Sequence, residues 1–215
     1  GWLIFICAIN LIGVSAIVDL GQEGKAAFRS VFFYLGFIAL LGPVAIGRID
    51  SAAAFFAMLG LVQVYRNRIR AGMVFITLGA WIKIWPVAAG LALFASTKAK
   101  LKSIFGVMAT VAVILVTGFA LGANQNLFSF VTMQGARGLQ VESVAATFWV
   151  WAAKFGLPGA GIYFDNQLVT NQVSGAFSAE TASLLGLAML VAIGITAWLG
   201  FRAFRAGADS KHLFV

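Results

Sequence analysis

Long apolar runs are the feature that most constrains this chain. Trp2–Leu20, Val31–Gly47, Ser103–Gly122 and Thr181–Phe201 are apolar on all sides over close to the 20 or so residues that a helix needs to cross a bilayer. Ser51–Tyr65 is a shorter apolar helix. Charged residues form 10% of the 215 residues, against roughly 25% in soluble domains. A soluble fold of this size cannot bury so much apolar surface, so we predict an all-α integral membrane protein.

The run Ala71–Thr97 is equally apolar but carries Lys83 and Pro86 near its centre. Proline removes a backbone donor and breaks a helix, and broken helices at membrane depth must be covered by protein or line a cavity. We therefore predict two short helices, broken at residues 83–86, that return the chain to the side it left. The predicted fold is a polytopic helical bundle with this re-entrant pair near residues 71–97.

The distribution of basic residues favours the re-entrant arrangement over a straight crossing, because Lys and Arg are enriched in cytoplasmic loops. The re-entrant topology leaves three basic residues outside, Arg48, Arg137 and Lys154, whereas a straight crossing divides the basic residues evenly. The residues then predicted inside are Lys25, Arg29, Arg66, Arg68, Arg70, Lys98, Lys100, Lys102, Arg202, Arg205 and Lys211. Asp50 and an extracytoplasmic loop near residues 123–179 face outward.

This outer loop has the most varied polar composition of the chain. Within it, Phe148–Phe155 contains Trp149 and Trp151 and is typical of an interfacial helix with its indoles at headgroup level. Tyr163–Gly175 is rich in Asn, Gln, Thr and Val and indicates a short hairpin. We interpret residues 1–215 as one transmembrane domain.

Lys83 is a candidate site residue because charge at membrane depth is costly and commonly functional, and Asp50 is a second candidate because it follows the Gly-Pro corner at an outer helix terminus. Lys83 has three interpretations: a cation that binds phosphate, a donor to the carbonyls freed by Pro86, or a side chain that snorkels to water. Asp50, beside Arg48, either orients an acceptor hydroxyl, a metal or a catalytic partner, or caps the helix Ser51–Tyr65.

Residues 134–143 form a second candidate cluster, with a guanidinium, two amides, a carboxylate and two glycines that permit close backbone approach. If Leu139–Ser143 begins a helix, its free N–H groups favour an anion that Arg137 would bind bidentately. The alternative is a surface loop with an ion pair between Arg137 and Glu142.

Several functions find no support in the sequence. The net charge of +8 is explained by cytoplasmic loops rather than nucleic acid, because no basic run is interleaved with aromatic residues in a polar domain. A single cysteine, Cys7, and a single histidine, His212, argue against an intrachain disulfide and a His-rich or cysteine-based metal site. The sequence has no glycine-rich phosphate loop and no hydrolase motif. We expect neither a cofactor nor a metal.

Three segments resemble a known family. They are Leu41–Asp50, the stretch from Ala71-Gly72 to Gly79–Pro86, and Gln134–Ser143 with its core Arg-Gly-Leu-Gln-Val-Glu-Ser. Their order and spacing resemble the bacterial GT-C superfamily of polytopic glycosyltransferases, in particular the α-1,2-mannosyltransferase-like family that uses polyprenyl-phosphate sugars. The similarity covers residues 41 to about 146, and the seven-residue core is its most specific part.

The resemblance implies a multi-pass enzyme of the bacterial plasma (inner) membrane with its active site facing outside. Its partners would be a polyprenyl-phosphate sugar as donor (mannose first), a glycolipid or glycan as acceptor, and membrane lipids. Cations would stabilise the leaving phosphate, Gln140 and Glu142 would hold the sugar or orient Arg137, and Asp50 would support the site. The implied substrate-binding residues are Arg137, Gln140, Glu142, Lys83 and Arg48.

In that family the catalytic aspartate lies in the first outer loop, between the first two spans. On the topology above, Trp2–Leu20 corresponds to the second span. We therefore expect the general base, a group typically worth about 10²–10⁴-fold, to lie before Gly1, in a first span and loop missing from this fragment.

Two other functions also fit the residues. A transporter or flippase subunit for a lipid-linked or small polar substrate would likewise use a broken helix near a charge. A noncatalytic membrane scaffold would tolerate alanine at Arg137, Glu142 and Lys83.

Overall fold

The structure is a computed structural model that describes residues 1–20, 25–128 and 138–207. It is mostly helical, with one small sheet. The helices are α1 (Trp2–Leu20), α2 (Lys25–Leu41), α3 (Pro43–Gly47), α4 (Asp50–Tyr65), α5 (Ile69–Ile82), α6 (Val87–Ser96), α7 (Lys100–Ala120), α8 (Thr147–Lys154) and α9 (Ser178–Arg205). The strands are β1 (Gly161–Asp165) and β2 (Thr170–Ser174).

Three helices of the described residues, α1, α7 and α9, are long and apolar enough to cross a membrane. They carry many large apolar side chains on their surfaces, such as Leu11, Val116 and Leu190, each more than half exposed. Exposure of this kind is unfavourable in water and favourable in lipid. The prediction of a helical membrane protein is supported at this level.

The predicted second span, Val31–Gly47, is interrupted. Helix α2 starts six residues earlier, at Lys25, and ends at Leu41. Gly42 has a φ of +55°, which a residue with a side chain rarely adopts, and Pro43 then starts the separate helix α3. The Gly-Pro pair therefore ends the helix before the predicted boundary.

The predicted break in the run 71–97 is confirmed, because α5 ends at Ile82 and α6 begins at Val87. Helix α6 packs back against α5: Leu93 shares a core cluster with Ile76, Met73 and Val64. A Cβ at Gly90 would lie 3.2 Å from the Ile76 side chain. The two helices therefore lie side by side instead of forming one continuous rod.

This packing brings residues 66–70 and 98–102 to one end of the helices, which we call the basic end. A Cβ at Gly106, near the start of α7, would lie 2.7 Å from the Arg70 carbonyl oxygen at the start of α5. Asp19, at the end of α1, forms an ion pair with Arg66 at 3.6 Å. At the other end of α1, the Trp2 indole donates to the Ile46 carbonyl at 2.7 Å.

Contacts among the described residues divide the chain into two compact units. The helical unit contains Gly1–Leu121 and the chain from Ile193 onward, and the polar unit is Gly122–Ala192. The region predicted as an extracytoplasmic loop thus contains a folded unit of its own.

The polar unit is built on the hairpin predicted at Tyr163–Gly175. Its strands pair antiparallel from Gly161 opposite Ser174 to Asp165 opposite Thr170. The segment Leu139–Val141 adds to the other edge of β2, where the Val141 N–H donates to Asn171 and the Val173 N–H donates to Leu139. Extended pairing, not a helix, therefore satisfies this backbone.

A helix, α8, is present where an interfacial helix was predicted at Phe148–Phe155, but one of its two indoles is buried in protein. Trp149 is buried in a cluster with Leu139, Ala146 and Val173, and its N–H donates to the Ala176 carbonyl at 3.0 Å. Trp151 is half-exposed. Trp149 therefore forms part of the core of the polar unit instead of presenting its indole at the surface, and the headgroup level of the indoles stays a prediction.

Candidate functional site

The corner before α4 positions two of the predicted site residues. Helix α3 ends at Gly47, and Arg48 then takes an extended conformation that turns the chain into α4. The Ser51 hydroxyl donates to the Ala45 carbonyl and ties the start of α4 back to α3. Arg48 and Asp50 are thereby held next to each other, with Arg48 Nε 3.3 Å from Asp50 Oδ2.

Asp50 is not the N-cap that the sequence allowed. The helix includes Asp50 in its first turn, Ile49 occupies the cap position, and no side chain caps the helix. A carboxylate in the first turn still interacts favourably with the helix dipole. The structure therefore supports the electrostatic part of that interpretation and not the capping hydrogen bond.

The break after α5 positions Lys83. Lys83 follows the last turn of α5 in an extended conformation, with its N–H bonded to the Gly79 carbonyl at 2.9 Å. Gly79 lies directly against α4, where a Cβ would be 3.0 Å from the Ala53 carbonyl oxygen. This close approach of two backbones brings the end of α5 beside the start of α4.

Lys83, Asp50 and Arg48 consequently form one cluster, which we call the Asp50 cluster. Lys83 Nζ lies 3.5 Å from Asp50 Oδ2, the same oxygen that Arg48 contacts. The sequence predicted these residues as separate candidates, and the structure brings them together. Among the described residues, the Lys83 ammonium contacts this carboxylate and donates to none of the carbonyls freed by Pro86.

The Asp50 cluster has a net charge of +1 and is partly accessible. The side chain of Lys83 is 14% exposed, that of Arg48 is 27% exposed and that of Asp50 is 43% exposed. Partly exposed ion pairs of this kind contribute about 0–1 kcal/mol to stability. Two cations around one carboxylate can attract a further anion, and the carboxylate can accept a hydrogen bond from a hydroxyl.

The second predicted cluster is only partly described. Gln134 and Arg137 lie outside the described residues. Gln140 is half-buried and bridges to Gln172 of β2, and Glu142 is exposed. No helix begins within the described residues Leu139–Ser143, so the condition for an anion-binding helix N-terminus there is not met.

Three residues of the hairpin form a polar network that the sequence analysis missed. Gln172, 2% exposed, donates to Asp165 Oδ2 at 2.8 Å and accepts from the Tyr163 hydroxyl at 3.2 Å. A Cβ at Gly138 would overlap the Gln172 side-chain oxygen. The polar residues between Asp165 and Gln172 were the available signal, and only the strand pairing shows that Gln172 faces inward.

The described residues contain no group of three His, Cys, Asp or Glu side chains that could hold a metal ion. Comparisons of the chain with protein-family models, with curated proteins and with solved structures found no match.

Proposed function

We propose that this chain is the membrane part of a glycosyltransferase that moves a sugar, mannose first, from polyprenyl phosphate to a glycolipid or glycan acceptor. In this proposal α5 and α6 are a re-entrant pair, the basic end faces the cytoplasm and the Asp50 cluster faces outside. The location is the bacterial plasma membrane. The sequence resemblance motivates the proposal.

The single structural observation that supports it is the Asp50 cluster. In the transfer, an acceptor oxygen bonds to the anomeric carbon, the bond from that carbon to the phosphate oxygen breaks, and the acceptor proton passes to a base. Negative charge grows on the phosphate that leaves. Lys83 and Arg48 supply two cations at one place, and the Asp50 carboxylate can hold an acceptor hydroxyl.

The cluster lies at the end of the helices opposite the basic end. Asp50 begins α4 and Arg66 follows its last residue, while Lys83 follows α5 and Arg70 lies at its start. Because Lys and Arg concentrate on the cytoplasmic side, the distribution of charge supports an outward-facing Asp50 cluster. An outward site suits a donor that enters from the bilayer.

The test uses the complete protein in membranes, supplied with radiolabelled polyprenyl-phosphate mannose and a crude pool of lipid and glycan acceptors. We expect Lys83→Ala to lower label transfer by about 10²-fold, the typical cost of removing one group that stabilises transition-state charge. Lys83→Arg should retain part of the activity. Lys98→Ala, an exposed lysine at the basic end, is the matched control and should transfer normally.

The same assay tests the second cluster, since Arg137→Ala should also reduce transfer if Arg137, Gln140 and Glu142 bind the donor. If the Lys83→Ala and Arg48→Ala variants both fold and transfer label normally, the Asp50 cluster is not part of the active site. Failure with every polyprenyl-phosphate sugar tried would contradict the enzyme itself.

A transporter or flippase is the second candidate, and the break between α5 and α6 beside a charged cluster is the observation that favours it. It predicts that labelled lipid moves between the two leaflets of proteoliposomes while no new glycosidic product forms. A noncatalytic scaffold predicts neither movement nor transfer.

A further inference from the structure

A basic pocket lies at the end of the helical unit opposite the Asp50 cluster. It has a volume of about 520 Å³, within the range of about 300–1,000 Å³ that is usual for small-molecule sites. The turn between α4 and α5, the first two turns of α5 and the start of α7 form its walls. We define the basic pocket by Asn67, Arg68, Arg70, Lys102, Val74 and Phe75.

The rim of the basic pocket is cationic. Arg68, Arg70 and Lys102 are all exposed there, and none of the described residues that line the pocket is acidic. A cation–π contact holds Arg70 at the rim, because its guanidinium lies 4.1 Å from the centre of the Phe105 ring of α7. Three cations, one each from the turn before α5, from α5 and from α7, thus surround one opening, and no described lining residue is a counter-ion to them.

The floor of the basic pocket is apolar. Val74 and Phe75 lie one to two helical turns beyond Arg70 and are half-buried. Beside the pocket, Leu101 and Phe105 of α7 are exposed apolar residues. A ligand that fits has an anionic head at the rim and hydrocarbon that continues along the helices.

We propose that the basic pocket binds the phosphate headgroup of an anionic membrane phospholipid from the leaflet at the basic end. The charge of the rim matches the phosphate, and the apolar floor matches the start of the acyl chains. Basic pockets between transmembrane helices on the cytoplasmic side are suited to such headgroups. The inference does not depend on the Asp50 cluster or on transferase activity.

The test measures equilibrium lipid binding to the complete protein in detergent by native mass spectrometry. The three probes are dioctanoyl phosphatidylglycerol, dioctanoyl phosphatidylcholine and inorganic phosphate. We expect phosphatidylglycerol to bind more tightly than the other two. One cation near a membrane surface contributes about fivefold, so Arg68→Gln with Lys102→Gln should weaken phosphatidylglycerol binding by about 25-fold.

The matched control removes two cations from the same end but outside the basic pocket, by Lys98→Gln with Arg205→Gln. It should leave phosphatidylglycerol binding within about twofold of the unmodified protein, because neither side chain lines the pocket. Asn67→Asp is a second variant that removes no cation. Asn67 has a φ of +61°, which Asp also tolerates, so the variant should fold and weaken binding by placing an anion at the rim.

Three results would overturn the proposal. Equal affinity for phosphatidylglycerol and phosphatidylcholine would show that the pocket does not select charge. Equal losses in the pocket and control variants would show a diffuse effect of net charge. Inorganic phosphate binding as tightly as the lipid would make the site one for free phosphate.

Discussion

Glycine determines how closely α4 and α5 approach. At Gly60, a Cβ would lie 2.9 Å from the Gly72 carbonyl oxygen and 2.5 Å from an Ile76 side-chain carbon. The first of these neighbours is backbone and cannot move aside without separating the helices. Such close packing of small residues is typical of helices that associate in membranes, and a second close approach, at Gly79, is the one beside Lys83 and Asp50.

At the scale of one residue, we predict that Gly60→Ala destabilises the protein by about 1–3 kcal/mol, the usual cost of overpacking. Thermal unfolding in detergent, followed by circular dichroism, measures the effect. Gly36→Ala is the matched control, because a Cβ at Gly36 meets nothing within 4 Å. In a helix, alanine is favoured over glycine by about 1 kcal/mol, so the control should be neutral or stabilising. Equal stability of the two variants would contradict close contact at Gly60.

At the scale of elements, the hairpin depends on one carboxylate. Asp165 Oδ1 accepts the N–H groups of Gln167 and Leu168 at 2.9 and 3.0 Å and so shapes the turn, while Oδ2 accepts from buried Gln172. Aspartate commonly organises turns by bonding to the backbone that follows it. The same residue therefore joins the turn to the network that faces the segment Leu139–Val141.

We predict that Asp165→Ala destabilises the hairpin of β1 and β2 by about 1–3 kcal/mol, because the buried Gln172 side chain then loses a hydrogen-bond partner. Hydrogen exchange of the backbone amides in residues 161–174, measured by mass spectrometry, should become faster. Asn166→Ala changes the neighbouring exposed position and should leave exchange unchanged. Unchanged exchange in the Asp165 variant would show that the turn forms without the carboxylate.

At the scale of the whole molecule, the topology depends on where residues 98–102 lie. In the helical unit, Lys102 shares the basic pocket with Arg68, and Lys100 lies 5.3 Å from the Phe204 ring near the end of α9. The structure thus gathers basic segments that are far apart in the sequence. In the proposed topology this gathering forms the cytoplasmic surface, since Lys and Arg are enriched on that side of a membrane.

We predict that cysteines introduced at Arg68 and Lys98 react with a membrane-impermeant maleimide from the same side of the membrane. A cysteine at Ile49 should react from the opposite side. Each cysteine is introduced into a Cys7→Ser background, because Cys7 is the one cysteine of these 215 residues. Reaction of positions 98 and 49 from the same side would support a straight crossing by residues 71–97 instead.

The sequence by itself determined the class of fold and most of the helices. A long apolar run specifies a membrane helix almost independently of the neighbouring segments, because in lipid its backbone N–H and C=O groups must hydrogen-bond to each other within the segment. That local rule placed α1 at its observed bounds. A second local rule, the loss of a backbone donor at proline, predicted the break at residues 83–86. The hairpin was equally local, since its two strands and the polar turn between them lie within fifteen residues.

Tertiary structure alone decided which distant residues meet. Lys83 and Asp50 are far apart in the sequence. They form an ion pair because the close backbone contact at Gly79 brings the end of α5 beside the start of α4. Residues Leu139–Val141 are extended because their backbone hydrogen-bonds to the free edge of β2. Trp149 is buried because it packs against Leu139, Ala146 and Val173. Contacts of this kind depend on the packing of whole elements, which local pattern and propensity do not encode.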